Sequence, residues 1–314
     1  MKNAFLPQLL PGEHVLSMFS RRLRLNAWRS IEDEQLAFTG RKEALGIQTL
    51  ANSTLLSVLN CISDADEQER VLREHTLCGF YSHSMKQKWI RSFLSSIKRK
   101  QHKDLFVPHC SKLRSSNSWR WCNDCIDEDR TKFGVAYWHV EHQVPTSIIC
   151  SKHTTKRLIS GCEHCGFVIR DLKQVSGPNA KCPQCRADIM QPCKPITDTL
   201  KWIHRRGLEL HRDVSSLLNP AYAYDMNYAL ALYVSRLEGC KNWEYWRVHE
   251  KYQPKFSEWA QNMEVDILFH DQFSFQDDFA VSLSATLTKN RKVSPMSHLL
   301  WLRFFGVKSF LEVV

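Results

Sequence analysis

Paired metal-ligand residues dominate the middle of this chain: Cys122-x2-Cys125, Cys150-x2-His153, Cys162-x2-Cys165 and Cys182-x2-Cys185 follow one another. Two donors two residues apart on a tight turn can face one tetrahedral ion, and a second pair closes its shell. The order of the pairs predicts one site of three cysteines and a histidine and one site of four cysteines. Crossed pairing stays open, because Cys150-His153 and Cys162-Cys165 are neighbours in sequence. Soft donors in this number point to zinc, two structural ions in all, and a histidine in fourth place weighs against an iron–sulfur cluster. The segment between the pairs is then held to short turns stapled by metal, with little core of its own.

A closed four-ligand shell leaves no position for water or substrate, so such sites stabilise a fold rather than catalyse. His139-Val140-Glu141 looks like the H-x-E of zinc deaminases, but that chemistry needs P-C-x-x-C, whereas the later turn reads Lys181-Cys182-Pro183-Gln184-Cys185. H-E-x-x-H, the phosphate-binding G-x-x-x-x-G-K-[ST] and the nucleophile elbow G-x-S-x-G do not occur. The chain therefore reads as a non-enzyme, the competing class being a zinc-dependent enzyme that modifies nucleic acid. His139, His142 and Gln143, beside Tyr137 and Trp138, each offer a ligand, a base contact or an internal hydrogen bond, and internal bonding is the favoured reading. Cys61, Cys78, Cys110, Cys193 and Cys240 lack paired spacing and read as small buried or half-exposed side chains.

Twelve Cys in 314 residues would suit a disulfide framework only in a secreted chain. The opening Met1-Lys2-Asn3-Ala4-Phe5-Leu6-Pro7 has no apolar signal core or small-residue cleavage site, and no apolar run approaches the ~20 residues that span a bilayer. The expected compartment is the cytoplasm, with no membrane partner. Lys and Arg number 43 against 33 Asp and Glu, a formal charge of +10, which makes a polyanion the first partner to consider.

Outside the Cys-rich segment the apolar periodicity is helical. Val15, Leu16, Phe19 and Leu23 form one face behind Pro11-Gly12-Glu13, and Leu55, Leu56, Leu59 and Ile62 form another behind a cap at Asn52 or Ser53. The acidic stretch from Asp64 to Glu74 reads as a solvated face or loop. From Met85 to Lys103, Trp89, Ile90, Phe93, Leu94 and Ile97 fit one helical face, while Lys86, Lys88, Arg91, Lys98, Arg99, Lys100 and Lys103 crowd the remainder. These cations read either as an ordinary solvated face or as contacts to phosphate or an acidic partner, with a membrane surface as a third option. A second basic helix, Lys201 to Arg212, adds Arg205 and Arg206 to the candidate contacts. Ser111 to Ser118 marks a boundary before the Cys-rich module. Beyond it, helices are expected over Thr199–Asp213, over Asp225–Gly239 with Asp225 as cap, and over Met296–Phe305 between Ser294-Pro295 and Gly306. The expected fold is mainly α: a helical part at 1–118, a double zinc-binding module at 119–195 and a helical part at 196–314.

Trp121-Cys122-x2-Cys125, Gly134-Val135-Ala136-Tyr137-Trp138-His139, His142-Gln143-Val144-Pro145 and Cys150-Ser151-Lys152-His153 together resemble the zinc module of the TniQ/TnsD family. Leu10-Pro11-x-Glu13 leading to Ser17 and Arg21 is similar to that family's opening. Glu74-His75-Thr76-Leu77 with Phe80-Tyr81, and Ser297-His298-Leu299-Leu300 through Arg303-Phe304-Phe305-Gly306, carry weaker similarity. The resemblance implies helix-turn-helix-like elements in the helical parts and a target selector for DNA transposition. Such a protein marks the insertion site and recruits an AAA+ regulator without cutting DNA itself. One branch of the family binds attachment-site DNA directly, and another rides on an RNA-guided Cascade complex. The chain ends soon after Phe304-Phe305-Gly306, which tilts the expectation toward the adaptor branch. A homodimer is implied by the resemblance only.

Overall fold

The computed structural model describes residues 5–26, 30–47, 53–85, 87–98, 118–192, 195–213, 226–239, 245–268, 281–287 and 293–308. These residues are mainly helical. Extended pairing among them is confined to isolated bridges, Glu13 with His139, Trp121 with Ile159, Ile149 with Arg157 and Lys181 with Asp188. No helix among the described residues is long and apolar enough to cross a membrane. The chain divides into two compact units, one built mainly from residues 1–78 and 116–194, the other from 79–90 and 195–314.

In the first unit, Gly12 takes φ 66°, turning the chain into α1 (Val15–Asn26). The predicted stripe of Val15, Leu16, Phe19 and Leu23 is buried, and each such side chain contributes about 1.5–3 kcal/mol when taken fully from water. Helix α2 (Ile31–Thr39) starts where the Ser30 side chain accepts from Asp33 N–H and stops at Gly40, φ 71°. Helix α3 (Ser53–Cys61) buries Leu55, Leu56, Val58 and Leu59; Ser53 is its first residue, Ile62 lies just past its end, and Asn52 falls outside the described residues. Helix α1 packs on α2, on α3 and on a short 3-10 turn, Leu172–Gln174, that follows the Cys162-Cys165 pair.

The acidic stretch is a helix, α4 (Ala65–Glu74), rather than a loop. Its carboxylates have local work: Asp64 caps it by accepting from Asp66 N–H, Asp66 and Glu67 lie in the first turn where the helix dipole favours them, and Arg70 pairs with Glu67 and Glu74 on the wet face. Only Val71 and Leu72 need to be buried, so low hydropathy did not prevent a helix. Two further helices follow, α5 (Cys78–Ser82) and α6 (Gln87–Lys98). Burial pushes the Cys78 thiol up to about 12, the behaviour of an inert core thiol. Cys61 is exposed, while Cys110, Cys193 and Cys240 lie outside the described residues.

The Cys-rich segment contributes α7 (Asn123–Phe133) and the short α8 (Val140–Gln143). The second unit contains α9 (Asp198–Arg212), α10 (Met226–Glu238), α11 (Tyr245–Asn262), α12 (Leu283–Leu287) and α13 (Pro295–Phe304). Helix α10 begins at Met226, and the expected cap Asp225 lies outside the described residues. Helix α13 starts as expected, with Ser294 accepting from Met296 N–H and Pro295 at its first position, and packs on α9 to α12. Its Trp301 is fully buried and stacks on Phe256 at 4.0 Å.

His298 on α13 is buried, with Nε2 2.7 Å from the Asn227 side chain and Nδ1 3.2 Å from the Ser294 carbonyl. Burial lowers its pKa from 6.5 to about 4, against the smaller opposing pull of that carbonyl. A ring held neutral in the folded state while the unfolded chain protonates it withdraws stability as pH falls. This unit should therefore be fully stable above pH 6.5 and lose on the order of 3 kcal/mol by about pH 4, at roughly 1.4 kcal/mol per pKa unit. Denaturation midpoints measured across that range should show the loss, and His298→Gln should flatten it; an unchanged slope in the variant would clear His298 of the effect.

Candidate metal centres

Helix α7 carries the first half of a mixed cluster of three cysteines and one histidine. Backbone bonds in both directions between Trp121 and Ile159 fix the entry to α7, so Cys122 sits at the N-cap position in extended conformation and Cys125 lies one turn on. Cys150 and His153 sit on a turn closed by Lys156 N–H to the His153 carbonyl, 2.8 Å, and Cys150 N–H to the Lys156 carbonyl, 2.9 Å. The ligand atoms of Cys122, Cys125, Cys150 and His153 all lie within 4.8 Å of one another. The Cys125 and Cys150 sulfurs are 3.5 Å apart, and His153 Nδ1 is 3.5, 3.4 and 3.5 Å from Cys122, Cys125 and Cys150.

These spacings fit a tetrahedral ion. Sulfurs bound at about 2.3 Å lie roughly 3.8 Å from each other and roughly 3.6 Å from a bound imidazole nitrogen, whereas a disulfide brings sulfurs to about 2.05 Å. All nine described cysteines are free thiols. The crowding itself calls for a cation: hydrogen bonds from Cys125 and Cys150 hold Cys122 far below the thiol range, while the contact with Cys122 pushes Cys125 far above it. The three buried sulfurs cannot all ionise unless a positive charge sits among them.

Three side chains stand behind the ligands, and none follows from the ligand spacing. Glu128 Oε1 is 2.9 Å from His153 Nε2, which leaves Nδ1 as the ligating nitrogen. His142, on α8, places Nε2 3.4 Å from the Cys150 sulfur. Burial, with His139 alongside, holds His142 well below its usual range, so a neutral ring can donate to the thiolate. Gln191 Nε2 lies 3.3 Å from the Cys122 sulfur. Glu128 was findable, being three residues beyond Cys125 on α7, but His142 and Gln191 follow no local rule. His139 and Gln143 do bond internally, His139 to Asp129 at 2.8 Å and Gln143 to the Arg120 carbonyl at 2.8 Å.

The four-cysteine cluster repeats one turn twice. Cys162 N–H binds the Phe167 carbonyl and Gly166 N–H the Cys162 carbonyl; Cys182 N–H binds the Ala187 carbonyl and Arg186 N–H the Cys182 carbonyl. Both turns need a left-handed residue, filled by Gly166 at φ 72° and by Arg186 at φ 62°. Cys162 lies 3.7 Å from Cys185 and Cys165 lies 3.6 Å from Cys182, sulfur to sulfur, again the spacing of a tetrahedral shell. The structure thus joins the pairs in sequence order, without crossing. Gly161 has no room for a side chain, since a Cβ would lie 2.8 Å from Val168 and 2.9 Å from the Phe167 carbonyl. Gly161→Ala should destabilise this turn by about 1–3 kcal/mol and speed loss of its ion to a chelator; a native release rate would contradict the crowding.

The opening residues are built into the mixed cluster's surroundings. His14 N–H binds the Trp138 carbonyl, Val140 N–H binds the Gly12 carbonyl, and Tyr137 donates its hydroxyl to the Pro11 carbonyl. Glu13, fully buried, accepts from Leu10 N–H, Ser17 Oγ and both Nε and Nη2 of Arg21, while His75 Nδ1 lies 2.7 Å from its carbonyl. The residues that carry the family resemblance at 10–21, 74–77 and 121–153 therefore touch one another.

The stretch of chain that builds this assembly, residues 4–156, matches the TniQ family model. These residues form a TniQ domain. The TniQ match takes in α1 to α8 and the mixed cluster and ends before Cys162, so the four-cysteine cluster lies beyond it. No curated protein matches the chain. A TniQ domain points to a transposition-associated role in target selection or DNA binding. Among the described residues, two clusters could hold metal ions.

The candidate contact residues are spread more thinly. Lys88 and Arg91 are exposed on α6, Lys98 is that helix's last residue, and Lys86, Arg99, Lys100 and Lys103 lie outside the described residues. On α9, Arg205 is exposed. Arg206 is half-buried, paired with Glu209, bound to the Lys308 carbonyl at 2.8 Å and set over Trp202. Arg206 is thus committed within its own unit.

Proposed function

We propose that this TniQ protein is the target-site selector of a DNA transposition system, marking the insertion site through an RNA-guided Cascade complex and recruiting the AAA+ regulator. The single observation that carries the reading is the TniQ match over a domain in which the opening motif and the mixed cluster form one body. Zinc is the proposed ion in both clusters, since thiolate and imidazole donors in a closed tetrahedral set suit it best. With four protein ligands in each shell, an ion would hold the fold and leave no position for a reacting group, which favours an adaptor over a zinc enzyme.

Direct reading of attachment-site DNA is the second form of the proposal, favoured by the net charge of +10. Protein-mediated recruitment is favoured by two features: Arg206 is already engaged, and the exposed Tyr228, Leu237 and Trp246 offer apolar anchors of the kind that partner proteins cover. The test is a pull-down of the zinc-loaded protein against guide-RNA-bound Cascade and against the AAA+ regulator, run beside a salt-titrated assay on attachment-site DNA. Association with both protein partners and weak, salt-sensitive DNA binding is the expected result. Tight sequence-selective DNA binding alone would establish the direct reader, and failure of every arm would remove the transposition reading.

A further inference from the structure

We infer that Gln191 is a positioning residue that couples the two metal centres, so that an ion in the four-cysteine cluster tightens the hold of the mixed cluster on its own ion. The inference rests on the reading that both clusters bind zinc. Gln191 belongs to the stretch that leaves the Cys182-Cys185 turn, yet its side chain reaches across to the mixed cluster. Its Nε2 donates to the Cys122 sulfur at 3.3 Å and to the Arg157 carbonyl at 2.8 Å, and its Oε1 accepts from Asn123 N–H at 3.3 Å. Asn123 answers with Nδ2 to the Ile189 carbonyl, 2.9 Å.

Cys122 occupies the N-cap position of α7, where its side chain makes no capping bond. The first free N–H of the helix is Asn123's, and it is capped by Gln191 instead. The same side chain donates to the sulfur, which lowers the charge on a bound thiolate and fixes its direction. Gln191 thus does two jobs for one ligand.

The other end of the stretch is tied into the four-cysteine cluster. Ile189 N–H binds the Ala180 carbonyl at 2.6 Å, Cys182 N–H binds the Ala187 carbonyl at 2.9 Å, and Lys181 pairs with Asp188 at 2.9 Å. Opening that cluster frees residues 187–189, and Gln191, two residues on, loses the register that aims it at Cys122. The four-cysteine cluster is also the more accessible of the two, with Cys165 and Cys185 half-exposed while Cys122, Cys125 and Cys150 are buried. Its ion should leave first, and the departure should loosen the second. By linkage the effect runs both ways.

The experiment counts ions per chain by elemental analysis and then follows chelator-driven release in the full-length protein. It compares the native chain, Gln191→Ala, a Cys162→Ser/Cys185→Ser double variant, and the three changes combined. Gln191→Ala should accelerate release from the mixed cluster by about ten-fold or more, the usual effect of losing a hydrogen-bond partner behind a ligand. Emptying the four-cysteine cluster should give the same acceleration, and combining the changes should add nothing further. The sulfur-to-metal charge-transfer band of the cobalt-substituted Gln191→Ala protein should also shift, which a purely structural role for Gln191 would not produce. Fewer than two ions in the native chain would sink the zinc reading and the coupling with it. Two ions with native release and an unshifted band in Gln191→Ala would sink the coupling alone. If the cysteine variants do not fold, the order of release in the native chain decides, and mixed-cluster loss that does not follow loss from the four-cysteine cluster would sink the coupling.

Discussion

Cys150→Ser is expected to leave one ion per chain and to unfold the whole TniQ domain rather than one loop. Cys150 is fully buried within the cluster it shares with Cys122 and Cys125. Serine offers a neutral hydroxyl in place of a thiolate, a poor donor for a soft site. Structural zinc contributes an apparent ~10–16 kcal/mol to small domains that cannot fold without it, which matches or exceeds the ~5–15 kcal/mol that separates most domains from unfolding. The damage should spread because Tyr137, Trp138 and Val140, between the two ligand pairs, hold Pro11, His14 and Gly12. Elemental analysis with thermal unfolding would read both effects, and a variant that kept a native melting transition with one ion would show that the cluster is not the keystone of this unit.

Glu13→Ala should cost about 3–5 kcal/mol, the largest effect expected of any residue that is not a ligand. The wild-type carboxylate is fully buried and its partner Arg21 is 18% exposed, with Nη2 at 2.6 Å. Deleting the carboxylate strands a guanidinium in a half-buried place and unsatisfies Ser17 Oγ and Leu10 N–H as well. Glu13→Gln keeps the shape but turns one of the two accepting oxygens into a donor and removes the charge, so it should recover only part of that loss. Arg21→Ala should be damaging too, and the double variant less so than the two singles added together, because each single leaves an unpaired partner. Urea unfolding of the four proteins supplies the cycle; a Glu13→Ala midpoint equal to wild type would mean that the pair contributes nothing net.

Much of this was legible because the governing signals are local. A Cys-x2-Cys pair is one turn of backbone, and Ser294-Pro295 with Gly306 brackets a helix by rules that act within single turns. The order of the pairs also predicts that Cys150-His153 joins Cys122-Cys125, but it leaves crossing with the nearer Cys162-Cys165 open, and the folded chain, with Trp121 bridged to Ile159, removes that alternative. His142 bonds internally as expected, though its partner Cys150 could not be named from the sequence, and Gln191 escaped altogether because it reaches a sulfur 69 residues away. The Asp64–Glu74 stretch reads as a solvated face or a loop, and the solvated face is the one that holds: its polarity reports on the wet side and the cap of a helix that needs only two buried residues to dock.

The bond from Val140 N–H to the Gly12 carbonyl has a consequence for biosynthesis. A chain made from its N-terminus can pack α1 on α2 and α3 early, but it presents Pro11 to His14 long before residues 137–140 exist to bind them, and closing so long a loop is slow as well as entropically costly. That closure waits until the segment carrying both ligand pairs of the mixed cluster has been made, and until then the opening of the chain is exposed to aggregation. Cells starved of zinc during translation should accumulate this protein as insoluble or chaperone-bound chains, and ions supplied after release from the ribosome should rescue only the fraction that has stayed in solution.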